Sequence, residues 1–128
     1  MKTKILLMTL LSFFITGCQT SSSFISVEVE QFADIIKDPR VVVVDVRRAE
    51  EWNEGHLPQA QFNIDALKED FTEQAEATLS KEKTLAIYCR SGRRSKDAAS
   101  RLAKCGYKVI ELNGGIISWQ EKSMPVVK

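Results

Sequence analysis

The sequence predicts a three-layer α/β domain built on a parallel sheet. Three observations lead there. Val41-Val42-Val43-Val44 is continuously apolar and β-branched, the habit of a strand buried on both faces. Thr84 to Tyr88 and Tyr107 to Leu112 read as two more strands of this kind. The stretches between them carry helical spacing, and strands that alternate with helices argue for βαβ units.

The chain has 128 residues, enough for one domain. Apolar residues make up 44% and charged residues 27%, which excludes a disordered chain. The formal net charge is +1. Setting aside Lys2 and Lys4 leaves 16 basic residues against 17 acidic, a net of −1. That balance gives no footing for nucleic-acid binding. Three widely spaced cysteines (Cys18, Cys89, Cys105) and a single histidine, His56, make neither a disulfide scaffold nor a Cys/His metal site.

The first segment reads as an export signal. Lys2 and Lys4 precede an apolar run from Ile5 to Ile15. As a helix of about 1.5 Å per residue this run covers only ~16 Å, against about 30 Å for a bilayer core. It ends in Ile15-Thr16-Gly17-Cys18, which resembles the lipobox of bacterial lipoproteins. The resemblance implies loss of residues 1–17 and lipidation of Cys18, with Gln19 to Ser23 as a polar tether and residues 24–128 as the folded domain. It implies anchoring in the bacterial cell envelope, and Gln19 fits the outer-membrane-directed pattern. A plain secretory signal that leaves Cys18 a free thiol is the alternative.

In the folded part, Ser26 is placed to cap a helix over 27–37, with Glu28 and Glu30 at its positive end and Phe32, Ile35 and Ile36 on one face. Asp38-Pro39 ends it. The strand over 41–44 follows, then a short helical or irregular segment over 47–54, a turn at Gly55-His56-Leu57-Pro58 and a short strand over 60–63. A helix is expected over 66–79, anchored by Leu67, Phe71 and Leu79. After the second long strand, 95–104 forms a helix with Ala98, Ala99, Leu102 and Ala103 as its apolar stripe and Gly106 as its stop. The third long strand leads into Asn113-Gly114-Gly115 and a last helix over 116–120.

The chemistry points to Cys89. It follows a buried strand directly, and ligands of open α/β sheets bind beyond the C-terminal strand ends. Arg90-Ser91-Gly92-Arg93-Arg94-Ser95 comes next. Gly92 can take a positive φ, which lets the loop curl its N–H groups inward as an anion-binding nest. The following helix N-terminus and three arginines add positive potential. Such surroundings favour a nucleophilic thiolate and draw an anionic substrate to it. The plain alternative is a small buried hydrophobe at a strand end, which leaves the basic loop unexplained.

Residues 88–95, Tyr-Cys-Arg-Ser-Gly-Arg-Arg-Ser, resemble the active-site loop of single-domain rhodaneses. Asp45-Val46-Arg47, Glu54-Gly55-His56-Leu57-Pro58-Gln59-Ala60, Gly106-Tyr107 and Leu112-Asn113-Gly114-Gly115 with Trp119 resemble further family segments, in order, across residues 25–120. Gln59 departs from the family's usual glycine. The resemblance implies a rhodanese-like domain with a mostly parallel five-stranded sheet. It implies a sulfurtransferase in which Cys89 takes sulfur from thiosulfate or a similar donor as a persulfide and passes it to a thiol, cyanide or a protein acceptor. Arg90, Ser91, Gly92, Arg93 and Arg94 would bind the anionic substrate, and no cofactor or metal is needed. Asp45 and Arg47 support the site, chiefly as a buried salt bridge that holds the loop. His56 serves as scaffold, and Trp52 and Trp119 as packing.

Two rival functions are open. A phosphatase or arsenate reductase uses Cys-x5-Arg, but position 95 is serine and Arg94 comes one residue early. A non-turnover persulfide carrier or binding module is the other. Cys105 is expected to be a buried thiol and not a resolving partner. About ten helical residues separate it from Cys89 by roughly 15 Å, whereas a disulfide needs Cα atoms within about 7 Å.

Overall fold

The structure, a computed structural model, describes residues 23–128. The export signal, Cys18 and most of the tether lie outside the described residues. In chain order the elements are β1 (Ile25–Val27), α1 (Val29–Ile35), β2 (Val41–Asp45), α2 (Ala49–Glu54), β3 (Ala60–Asn63), α3 (Phe71–Thr78), β4 (Thr84–Tyr88), α4 (Arg93–Lys104), β5 (Lys108–Leu112) and α5 (Gly115–Glu121). The five strands form one parallel sheet in the order β1-β5-β4-β2-β3.

The unbroken apolar runs are explained by helices on both faces. Alternate side chains of a strand point to opposite sides. From β4, Leu85 and Ile87 enter one core with Ala98, Ala99 and Leu102 of α4 and Phe71 and Ala75 of α3. Ala86 and Tyr88 enter the other, with Phe32 of α1 and Ile116 and Trp119 of α5. Each buried Leu or Ile contributes about 1.5–3 kcal/mol, so β4 is held from both sides and its C-terminal end is a rigid platform.

Three expectations are corrected. The chain over 25–27 is an edge strand, not the start of a helix. Ile25, Ser26 and Val27 pair with Ile110, Glu111 and Leu112, and Ser26 Oγ donates to Glu111 Oε1 at 2.6 Å instead of capping a helix. Glu28 occupies the cap position of α1 without a side-chain capping bond. A three-residue strand is too short to leave a periodic signal, and tertiary pairing overrides the capping preference. The second correction concerns 66–70, which is turn, not helix. Asp65 Oδ1 accepts the Leu67 N–H at 2.8 Å, an Asx-type local bond that competes with helix formation. Leu67 is consequently 56% exposed, while Phe71 and Leu79 are buried as expected. The helix expected from Ser95 begins two residues earlier, with Gly92 at its cap.

Candidate active site

Cys89 directly follows β4 and is 1% exposed. Its side chain points toward α4, into the same core as Leu85 and Ile87. The loop returns over it within three residues, and the Gly92 N–H donates to Cys89 Sγ at 3.1 Å. Gly92 has φ +102°, a conformation that costs an L-residue with a side chain. The inward curl expected of this glycine is therefore present, and α4 starts directly from it.

The last helix shapes the loop from the other side. Ile116 N–H donates to the Cys89 carbonyl at 2.9 Å, and Ile117 N–H to the Arg90 carbonyl at 3.1 Å. The free N–H groups at the start of α5 thus satisfy two loop carbonyls. That approach requires Gly115. A Cβ there would lie 2.4 Å from the Arg90 carbonyl oxygen and 2.6 Å from that of Cys89. The Gly-Gly pair, read from sequence only as a tight loop, is a packing surface for the site.

Two polar braces hold the platform, one on each face of the sheet. On the α1/α5 face, Asp45 is fully buried and accepts from Arg47 Nε at 3.0 Å, Arg47 Nη2 at 2.7 Å and Tyr88 Oη at 2.7 Å. Arg47 Nη2 continues to the Gly55 carbonyl at 2.7 Å, and Tyr88 Oη accepts the Leu57 N–H at 3.1 Å. Burial pushes the Tyr88 hydroxyl above its ordinary range, so it stays a donor to the carboxylate. Asp45 and Arg47 form the buried salt bridge expected of them, and it ties the 55–57 turn to the residue before Cys89. Tyr88 was legible in the motif but its role was not.

On the α4 face, Glu111 is also fully buried. It accepts from Ser95 Oγ and Ser26 Oγ, each at 2.6 Å, and its Oε1 lies 3.3 Å from Lys96 Nζ. Nothing in the local motifs marks Glu111 as part of the site. The available signal was one carboxylate inside an otherwise apolar strand end, which is buried only when paired.

The arginines take separate places. Arg90 and Arg93 are exposed. Arg94 makes two bonds to Glu51, 2.7 Å to Oε1 and 2.9 Å to Oε2. These bonds hold the Glu51 carboxyl down at about 2 and raise Arg94 above the usual guanidinium range. Ser91 is exposed at the crown of the loop. A cleft of about 280 Å³ beside the loop is lined by Arg47, Glu51, Glu54, Arg90, Ile116 and Ile117, among others.

His56 serves as scaffold. Its Nδ1 lies 3.0 Å from the Trp52 carbonyl, its ring stacks on Trp52 at 3.5 Å, and its backbone pairs with Val127. Trp119 is fully buried. Cys89 is a free cysteine. Cys105 is buried at the end of α4, as expected.

This arrangement has close counterparts among known proteins. The Rhodanese-like domain family matches residues 28–122. A protein named sulfurtransferase from Allochromatium vinosum is 36% identical over 89 residues, which cover 68% of this chain and 78% of that one. Thiosulfate sulfurtransferase GlpE of Coxiella burnetii is 31% identical over 88 residues, with coverage of 68% and 78%. The crystal structure of a rhodanese-related protein from Thermoplasma volcanium superposes with a TM-score of 0.72 at 30% identity, covering 81% of this chain and 98% of that one. The chain belongs to the rhodanese-like family.

Proposed function

We propose that the protein is a sulfurtransferase that moves a sulfane sulfur from thiosulfate or a similar donor to a thiol or cyanide, through a persulfide on Cys89. One observation carries this reading: the loop folds back so that the Gly92 N–H meets Cys89 Sγ at 3.1 Å. A donor aimed at a cysteine sulfur stabilises negative charge there. The family and the names of its relatives support the reaction class.

In the first half-reaction the Cys89 thiolate attacks the outer sulfur of thiosulfate. The sulfur–sulfur bond of the donor breaks, and sulfite leaves with the electron pair. In the second, an acceptor nucleophile attacks the outer sulfur of the persulfide, and the Cys89 thiolate is released. No net oxidant or reductant is consumed. The pairing of Arg94 with Glu51 speaks against a phosphatase-type loop, in which an arginine closes on a bound oxyanion. The test is steady-state turnover of thiosulfate and cyanide to thiocyanate. Turnover surviving Cys89→Ala would sink the proposal.

A second reading, a persulfide carrier that hands its sulfur to one protein, is favoured by the 1% exposure of Cys89. Sulfur loading on Cys89 without turnover toward small acceptors would select it. We further propose that Cys18 is acylated and anchors the domain in the bacterial envelope. Fatty-acid label should disappear with Cys18→Ser. Acylation claims the Cys18 sulfur, so a mature chain with Cys18 in a disulfide contradicts the anchor.

A further inference from the structure

Among the described residues, Glu111 is the one fully buried carboxylate on the α4 face, and the sulfur-transfer steps above leave it without a task. It sits on β5 opposite Ile87, two residues before Cys89 on the neighbouring strand. Its contacts with Ser95 and Lys96 lead to the helix that follows the loop, and its contact with Ser26 leads to β1. Oε2 accepts from Ser95 Oγ at 2.6 Å, and Ser95 Oγ is also 3.3 Å from the Gly92 carbonyl. The serine has one proton, and the much shorter contact takes it. Oε1 meets Ser26 Oγ at 2.6 Å and Lys96 Nζ at 3.3 Å. Lys96 Nζ is fixed in turn by Asn113 Oδ1 at 2.9 Å.

Gly92 lies within this frame. A Cβ built on it would stand 3.1 Å from Gly114 N, 3.2 Å from Lys96 Nζ and 3.6 Å from Glu111 Oε2. The glycine whose N–H reaches Cys89 Sγ is therefore walled in by the Glu111 network. A buried carboxylate is unfavourable unless several donors face it. Here two of those donors, Ser95 and Lys96, come from the first turn of the helix that begins at Gly92.

We propose that Glu111 is a positioning residue for the reaction at Cys89: acting through Ser95 and Lys96, it fixes Gly92 so that its N–H stays on the sulfur. This rests on the sulfurtransferase reading for its consequence in turnover, but the geometric part is tested separately. Small displacements of an aligned donor cost rate steeply.

The experiment compares the wild type with Glu111→Ala, Glu111→Gln, Ser95→Ala and the Glu111→Ala/Ser95→Ala double variant. Two rates are read: single-turnover sulfur loading from thiosulfate, and alkylation of Cys89 by iodoacetamide. Thermal melting reports the folded fraction. Glu111→Ala and Ser95→Ala should each slow loading about tenfold with little change in the donor concentration for half-saturation. Glu111→Gln, which still accepts the serine proton, should recover most of the rate. The double variant should be no slower than the slower single one. If Glu111→Ala fails to fold, Ser95→Ala carries the same test. Wild-type rates in folded Ser95→Ala, or independent multiplication of the two losses, would overturn the proposal. So would a Glu111→Gln loss as large as that of alanine. If the wild type takes no sulfur from any donor, the sulfurtransferase reading fails while slowed alkylation in the variants still supports the positioning role.

Discussion

Arg94 of α4 grips Glu51 of α2 through two parallel bonds of 2.7 and 2.9 Å. The loop's third arginine is thus a structural clasp across the site, joining the helix that follows Cys89 to the segment that follows β2. Bidentate pairing of this kind is geometrically specific, and both side chains are about four-fifths buried.

The clasp makes stability depend on pH in a defined direction. Glu51 is lowered from 4.5 to about 2, chiefly by the Arg94 hydrogen bonds. A depressed carboxylate contributes stability that is fully present above its unfolded value and lost as pH falls through its folded one. The contribution should therefore fade between pH 4.5 and about 2. Glu51→Gln should cost about 1 kcal/mol at pH 7 and show a smaller drop in that window. Urea unfolding at pH 7 and pH 3 checks this, and parallel pH curves for the two proteins would contradict it.

The Asp45 brace should be costlier to break. Asp45→Ala leaves Arg47 buried without its partner, a loss of about 3–5 kcal/mol. Tyr88→Phe removes one donor and strands the Leu57 N–H, a smaller loss of about 1–3 kcal/mol. Denaturant titration of both variants measures the order, which the account requires to be Asp45→Ala before Tyr88→Phe.

Gly115→Ala should disable the site more than it unfolds the domain. Its φ is +62°, and the added Cβ meets the backbone of Cys89 and Arg90. The strand ladder below does not depend on it. Sulfur loading should fall at least about a hundredfold, since a displacement of about 1 Å at a reacting centre costs that much. Circular dichroism should still show a folded α/β domain.

Arg90 is exposed and lines the cleft beside the loop. Its charge should act on an anionic donor by attraction alone. Arg90→Ala should raise the KM for thiosulfate about threefold at low salt, leave kcat unchanged, and lose its effect near 1 M salt, where the screening length is about 3 Å. Initial-rate kinetics at two ionic strengths read this directly.

Much of this architecture was written in the chain where the physics is local. The valine run at 41–44 and the alanine stripe at 98–103 announced their elements because burial on two faces and on one face leaves different periods. Cys89 and Gly92 were legible because a cysteine, a glycine and three arginines between a strand and a helix have few other uses. What escaped notice depends on distant pairing. Ser26 looks like a cap until β5 places Glu111 opposite it. Leu67 looks like a helix anchor until Asp65 captures the Leu67 N–H. Nothing local marks Arg94 for Glu51 or Tyr88 for Asp45, each pair 43 residues apart. The exposed arginines were visible as charges, but their division of labour was fixed only by what packs around them.

The central claim is that Cys89 carries the sulfur, and intact-mass spectrometry tests it most directly. Purified protein is reduced, the reductant is removed, and thiosulfate is added. One sulfur atom should appear on the wild type, none on Cys89→Ala, and the sulfur should leave on addition of cyanide or a thiol. A wild-type protein that gains no sulfur, or an equal gain on Cys89→Ala, would contradict the account.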